Sequence, residues 1–552
     1  MALRRTLTAL ALTLSLAGLA ACQDGGARAP SDPSPLSAAQ EAAPQATATW
    51  RSALYPTSWT PAFTDSQGRF FHDFSYAGYH NSETALGLGI PATTVDVTTA
   101  GADPTGASDS TAAINAAIRT VSQGGGVVYF PAGLYRVDGT LAVTASNVVL
   151  RGAGPELSRV YFTQSEGLSY KSHISIKGSL RTTAESILVN DGRSRADYVE
   201  VSDPSLFTVG DDVAIGWVIT EAFIADHDME DYWEAFNDTW QPFFWREIVD
   251  IDTSVSPARL YVDVPLRYVA KVRDFASVRR TAGYIQNVGV EELGLANAVA
   301  WSEAWAQSQI HVLEMIGVKD GWVREVRTFT PPTAPTSGYG IGTHLQSGGI
   351  LISNAKRVTV ADTVLQNAEH RGDGGNGYLF EIRQSSEILT RDCEGHDGRH
   401  NFIQNWGFGT TGCVWLRVWS SGGRAVQSEQ FPFGFIGFSE FHHSLATANL
   451  IDSSTFDDGW SIENRRDWST GAGVTGTETV MWNTDGRGAL KSYQFGWGYV
   501  VGTGSQIHEF TKPRGPAALE TAPQDYTEGL GEASTLEPQS LFEDMLSRRL
   551  GG

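Results

Sequence analysis

The strongest constraint on the fold lies in residues 101–137, "GADPTGASDSTAAINAAIRTVSQGGGVVYFPAGLYRV". Ser108 or Asp109 is placed to cap a helix in which Ala113, Ile114, Ala117, Ile118 and Val121 recur at helical spacing. Gly124, Gly125 and Gly126 end that helix, "VVYF" reads as a short buried strand, and Pro131-Ala132-Gly133 turns the chain into "LYRV". Further short β-rich runs follow between Gly, Asn, Asp and Ser turns: "NVVLRG" at 147, "VTVADTVLQN" at 358, "EILTRDCEG" at 387 and "CVWLRVWSSGG" at 413. Two of them align at a 30-residue offset, which sets Asp362 over Asp392 and His370 over His400. A coil of three short strands with one long turn produces such an irregular period. One coil cannot bury its own interior, so coils must stack and the ends need caps.

The 101–137 segment resembles the N-terminal signature of the pectate lyase superfamily, the polygalacturonase-like right-handed parallel β-helix proteins, and "FHDFSYAGYHNSETALG" (71–87) resembles its lead-in. The resemblance implies an all-β solenoid whose N-terminal helix caps the open end. Residues 197–268 interrupt the pattern: runs that alternate like antiparallel strands flank "TEAFIADHDMEDYWEAFNDTWQPFFW". They read as a small inserted β module whose acidic aromatic loop could wall a cleft. The expected organisation is therefore 51–196 for lead-in, capping helix and first coils, 197–268 for the insertion, 269–510 for the main coils and 511–552 for a tail. In that tail, Leu541, Phe542, Met545 and Leu546 share one helical face suited to covering coil edges.

The N-terminus reads as an export signal. Arg4 and Arg5 precede an apolar run too short to span a bilayer comfortably, and Leu19-Ala20-Ala21-Cys22 resembles a bacterial lipobox. Residues 1–22 would then be a lipoprotein signal peptide and Cys22 the lipidated residue. Residues 23–50, rich in Ala, Pro, Ser, Gln and Gly, read as a disordered tether. These features place the protein in the cell envelope, anchored to a membrane or released outside. Cys393 and Cys413 could pair on adjacent coils or remain as buried thiols. A formal net charge of −22 argues against nucleic acid as a partner. An acidic polysaccharide is still open, because a local Arg or His cluster, or bound Ca²⁺, could offset the charge.

Two turns concentrate the chemistry. "NAEHRGDGGNGYLFE" supplies Glu369, His370, Arg371, Asp373 and Glu381; "GHDGRHNFIQNWGFG" supplies His396, Asp397, Arg399 and His400. At the 30-residue offset the two turns should stack on one outer face of the solenoid. In β-elimination of a uronate polymer, Arg371 and Arg399 would neutralise the sugar carboxylate and a histidine would take the C5 proton. In glycoside hydrolysis, Asp373, Glu381 and Asp397 would be the carboxylates. Elimination is preferred because Arg and His accompany the acids. The alternatives are a glycoside hydrolase or a non-catalytic glycan-binding or adhesion protein. Trp406, Trp415 and Trp419 are candidate sugar platforms, Trp406 foremost. "WNTDG" (482–486) resembles the first catalytic element of polygalacturonase-type hydrolases, but the elements that follow it there are missing. Gly395 and Gly398 argue against the helix that a zinc site at His396 and His400 would need.

Overall fold

The computed structural model describes residues 48–426, 434–512 and 524–551. The expected signal peptide, Cys22 and most of the expected tether lie outside the described residues. Among the described residues, no helix is long and apolar enough to cross a membrane.

Three parallel sheets form the solenoid, with 12, 8 and 10 described strands, here called sheets I, II and III. Successive coils contribute one strand to each sheet over much of the length. Gly289 pairs with Trp322 in sheet I, Gly294 with Arg327 in sheet II and Leu313 with Ile350 in sheet III. The expected 30-residue offset holds on sheets I and II, where Thr359 pairs with Leu389 and Val364 with Glu394. The interior is a continuous apolar column that includes Val290, Val323, Val360 and Phe402. Phe380 and Phe402 stack in it with ring centroids 4.7 Å apart.

The helix runs Thr111–Val121 and buries Ile114, Ala117, Ile118 and Val121 against the first coils. Ser110 is its N-cap residue but makes no side-chain capping bond. Asp109 accepts from the Thr111 amide instead, at 2.9 Å. Gly126 sits at φ +136°, and a Cβ there would lie 2.2 Å from the Thr93 carbonyl oxygen. Only glycine lets the first strand pass so close. The lead-in segment and the C-terminal helix Leu541–Leu550 cover a flank of sheet I, where Tyr55, Phe71 and Phe542 pack with Leu416 and Trp482.

The inserted module is larger than the sequence pattern indicates. Its six-stranded antiparallel sheet takes in Arg181–Ile187 and Ser277–Ala282, beyond both ends of 197–268. The first of these strands is largely exposed and carries no apolar alternation to betray it. The aromatic loop turns back onto the solenoid. Trp233 is buried and its Nε1 donates to the Ala472 carbonyl at 2.9 Å, while Phe236 packs on Trp406.

Candidate active site

Side chains alternate across a strand, so every second residue of sheet III points out of the solenoid. One outward row, read through the register, runs Ser175, Glu314, Leu351, Glu381, Ile403, Glu440 and Ser461. Two of its carboxylates are buried under a cleft of about 430 Å³ whose lining includes Tyr378, Arg399, Trp406, His442 and Ser469. Two strand spacings separate Glu381 from Glu440, which places their backbones about 10 Å apart.

Glu381 accepts from His311 Nε2 (2.8 Å), Arg383 Nε (2.5 Å) and Asn405 Nδ2 (2.8 Å). Burial raises its pKa, but the Arg383 charge and the His311 bond outweigh it and hold the acid down at about 2. Glu440 is held even lower against the same burial, chiefly by Arg465, whose Nη1 reaches both carboxylate oxygens at 3.1 Å. Both acids are therefore ionised near neutral pH.

His442 Nδ1 bonds to Glu440 Oε1, and Ser469 Oγ lies 3.0 Å from His442 Nε2. Because Glu440 is an acceptor only, the His442 proton sits on Nδ1 and the Nε2 lone pair faces the cleft. Burial, then the Arg465 charge, lowers the His442 pKa, which keeps the ring neutral. His400 donates from Nδ1 to the Phe438 carbonyl at 2.6 Å, and burial pushes its pKa down to about 3. Burial also raises the Tyr378 hydroxyl to about 12, so it stays protonated. Arg399 Nη1 donates to the Gly372 carbonyl at 2.7 Å, and Nη2 lies 3.5 Å from the almost fully exposed Asp373.

The two turns identified in the sequence only partly meet here. Asp373, Arg399 and Trp406 line the cleft, and Glu381 and His400 lie beneath it. His370 does not stack on His400, because Tyr378 takes that place while Gln366 pairs with His396. The segment between those pairings is much longer in one coil than in the next. His370 instead packs on Trp305 with centroids 4.3 Å apart. Arg371 donates to the backbone carbonyl of Asp397, and neither residue is in the cleft lining. His396 belongs to sheet II, bound to Ser421 and Glu394, so it shares no metal with His400. Trp415 is wholly buried in the core, and Trp419 lies on sheet II with Nε1 donating to Asp457; neither is a platform in this cleft. Cys393 and Cys413 are free thiols, because one follows a sheet I strand and the other precedes one.

Sequence reading missed His311, Arg383, Glu440, His442, Arg465 and Ser469. A signal existed: "FEIR" and "EFH" each put two polar residues on the outer side of a strand with an apolar one between them. His400, Glu440 and His442 bring donor atoms within 4.8 Å of one another. This nitrogen-rich set does not suit Ca²⁺, and Arg465 already occupies the Glu440 oxygens.

Glu369 lies outside the cleft lining. It is completely buried, its carboxylate has no side-chain partner among the described residues, and burial pushes its pKa up to about 8. An unfolded chain releases that proton near 4.5, so between those values the folded state binds more protons and stability falls as pH rises. Glu369→Gln is expected to flatten the decline in unfolding free energy between pH 5 and pH 9, by an amount of order a few kcal/mol. An unchanged slope would remove Glu369 as its source.

Residues 94–194 match the family model described as rhamnogalacturonase A/epimerase, pectate lyase-like. That segment holds the capping helix and first coils from which the three parallel sheets continue. The fold is a right-handed parallel β-helix, and its N-terminal part is similar to pectate-lyase-like proteins. No curated protein sequence matches it. Among solved structures, the tailspike gp61 of Pseudomonas phage phi297 is 13% identical, with 80% of each chain covered and a TM-score of 0.36. A Thermotoga maritima exopolygalacturonase is 12% identical over 82% of this chain and 94% of that one, with a TM-score of 0.32. A virus protein, Geobacillus virus E2 ORF18, is 12% identical over 79% of this chain but only 61% of its own, with a TM-score of 0.36. At such scores nothing about activity transfers to this β-helix protein.

Proposed function

We propose that this β-helix protein is an exported, surface-tethered, carbohydrate-active enzyme that cleaves a uronic-acid-containing polysaccharide by β-elimination in the sheet III cleft. One observation carries the reading: a neutral imidazole, oriented by an ionised carboxylate, shares an open cleft with an arginine held near an exposed acid. The substrate carboxylate would displace Asp373 from Arg399, whose charge then stabilises the carbanion-like transition state. His442 Nε2 would take the C5 proton as the Ser469 hydroxyl gives way. Electrons of that C–H bond form the C4–C5 double bond, the C4–O bond breaks, and Tyr378 protonates the departing oxygen. Trp406, 42% exposed, offers a face for a neighbouring sugar.

Hydrolysis by paired carboxylates requires one acid held protonated by a raised pKa. Glu381 and Glu440 are both held down instead, which favours elimination. Incubation of the chain lacking residues 1–50 with uronate polymers, with and without Ca²⁺, is expected to yield new chain ends and ultraviolet absorbance from the unsaturated sugar. New ends without that absorbance would make it a hydrolase, and binding without new ends an adhesin. Tethering through Cys22 predicts that Cys22→Ala releases the protein from membranes.

A further inference from the structure

Ser469 is exposed at the wall of the cleft, yet its hydroxyl stands at the end of a buried chain. Its Oγ accepts from Arg465 Nη2 at 3.2 Å and turns its own proton toward His442 Nε2 at 3.0 Å; His442 Nδ1 is bound to Glu440. We propose that Ser469, His442 and Glu440 act as nucleophile, base and orienting acid in hydrolysing carboxylic esters carried by the bound glycan, either O-acetyl groups or uronate methyl esters. The proposal shares the cleft and His442 with the elimination reading but needs neither a C5 proton nor a glycosidic leaving group.

Three further observations support it. Glu440 is ionised and fixes the tautomer that leaves Nε2 free to accept the hydroxyl proton. Ser469 and Thr470 both adopt left-handed backbone, with φ 56° and 65°. Such conformations are disfavoured for residues with a side chain and aim the Ser469 hydroxyl away from a regular helical path. The inserted module packs closely on the residues that follow: a Cβ on Gly471 would lie 1.9 Å from the Tyr232 carbonyl, and one on Gly473 would lie 2.3 Å from Trp233 Nε1. Finally, the Arg465 guanidinium lies beside Oγ, where the carbonyl oxygen would gain negative charge.

In the acylation step the Ser469 proton passes to His442 Nε2 as Oγ bonds to the ester carbonyl carbon. The tetrahedral intermediate then collapses, the carbonyl–alkoxy bond breaks, and the leaving alcohol takes the proton from His442. Water, deprotonated by His442, attacks the acyl-serine, and the acid and free Ser469 are regenerated. An O-acetyl ester passes through an acetyl-enzyme and frees the sugar hydroxyl; a methyl ester passes through a uronyl-enzyme and frees methanol.

The test uses 4-nitrophenyl acetate, a fluorophosphonate probe, and two polymers, one O-acetylated and one methyl-esterified. The expected results are nitrophenolate release, probe addition to the Ser469 peptide, and loss of turnover by at least about a hundredfold in Ser469→Ala. Because Ser469 is exposed, that variant should retain the parent's melting temperature. Acetate release assigns O-acetyl esters, and methanol release assigns uronate methyl esters. Release from neither polymer overturns the glycan-ester assignment, as does turnover within threefold of the parent in Ser469→Ala or probe addition elsewhere. Unsaturated product from a de-esterified polymer without nitrophenolate release would sink this proposal and leave elimination standing; the reverse pattern would do the opposite.

Discussion

Replacing Glu387 by alanine is expected to lower the unfolding free energy by about 3–5 kcal/mol. Glu387 lies on the solenoid, 1% exposed, and accepts from Arg267 Nε at 3.0 Å and Nη2 at 2.9 Å; Arg246 Nη2 lies 3.4 Å away. Both arginines belong to the inserted module and are buried. Without Glu387 the two buried guanidinium groups lose their nearest counter-charge and keep only the weaker fields of Asp263 and Asp73. Their backbone partners, the Trp245, Pro265 and Asp73 carbonyls, supply dipoles but no net charge. Glu387→Gln keeps the shape and loses the charge, so it should fall between parent and alanine variant. Guanidinium titration reads the difference, and an alanine variant within about 1 kcal/mol of the parent, the range typical of exposed pairs, would show that the triad does not join module to solenoid. The consequence reaches the cleft, because the module's loop supports Trp406 and the turn that carries Ser469.

That dependence explains which parts of the molecule were legible in the sequence. The capping helix, the glycine break and the first strand are local, and each is written in adjacent residues. The 30-residue offset was legible because the strands on sheets I and II are joined by turns of matching length. It failed between Gln366 and Tyr378, where "GDGGNG" lengthens one turn and shifts sheet III against its neighbours. His370, Arg371, His396 and Asp397 consequently left the expected cluster, while Glu440, His442 and Arg465 entered the site from later coils. Tryptophan exposure was unreadable for a related reason. Trp415 and Trp419 sit in similar strings, but strand register alone decides that one points inward and the other outward. Coil stacking converts residues far apart in sequence into neighbours, and turn length sets which neighbours they are.

His442→Ala is expected to reduce unsaturated-product formation by about a thousandfold, within the range for loss of a positioned general base. Among the described residues it is the one imidazole in the cleft lining whose carboxylate partner fixes the tautomer and whose free nitrogen faces an exposed hydroxyl. Loss of rate alone would not separate chemistry from packing, since His442 also touches buried Glu440. The pH profile does. Burial and Arg465 lower the His442 pKa while Glu440 raises it, and the net shift is downward. A base that works deprotonated then stays active below the ordinary histidine value of about 6.5, and the acid limb of kcat/KM should lie below that pH. Removing one positive neighbour must move the limb upward. Arg465→Gln should therefore lose activity chiefly at low pH and regain part of it as pH rises, whereas a packing defect would depress the rate equally at every pH. A limb that stays in place in Arg465→Gln, with the fold intact by melting temperature, would take the proton-abstracting role away from His442.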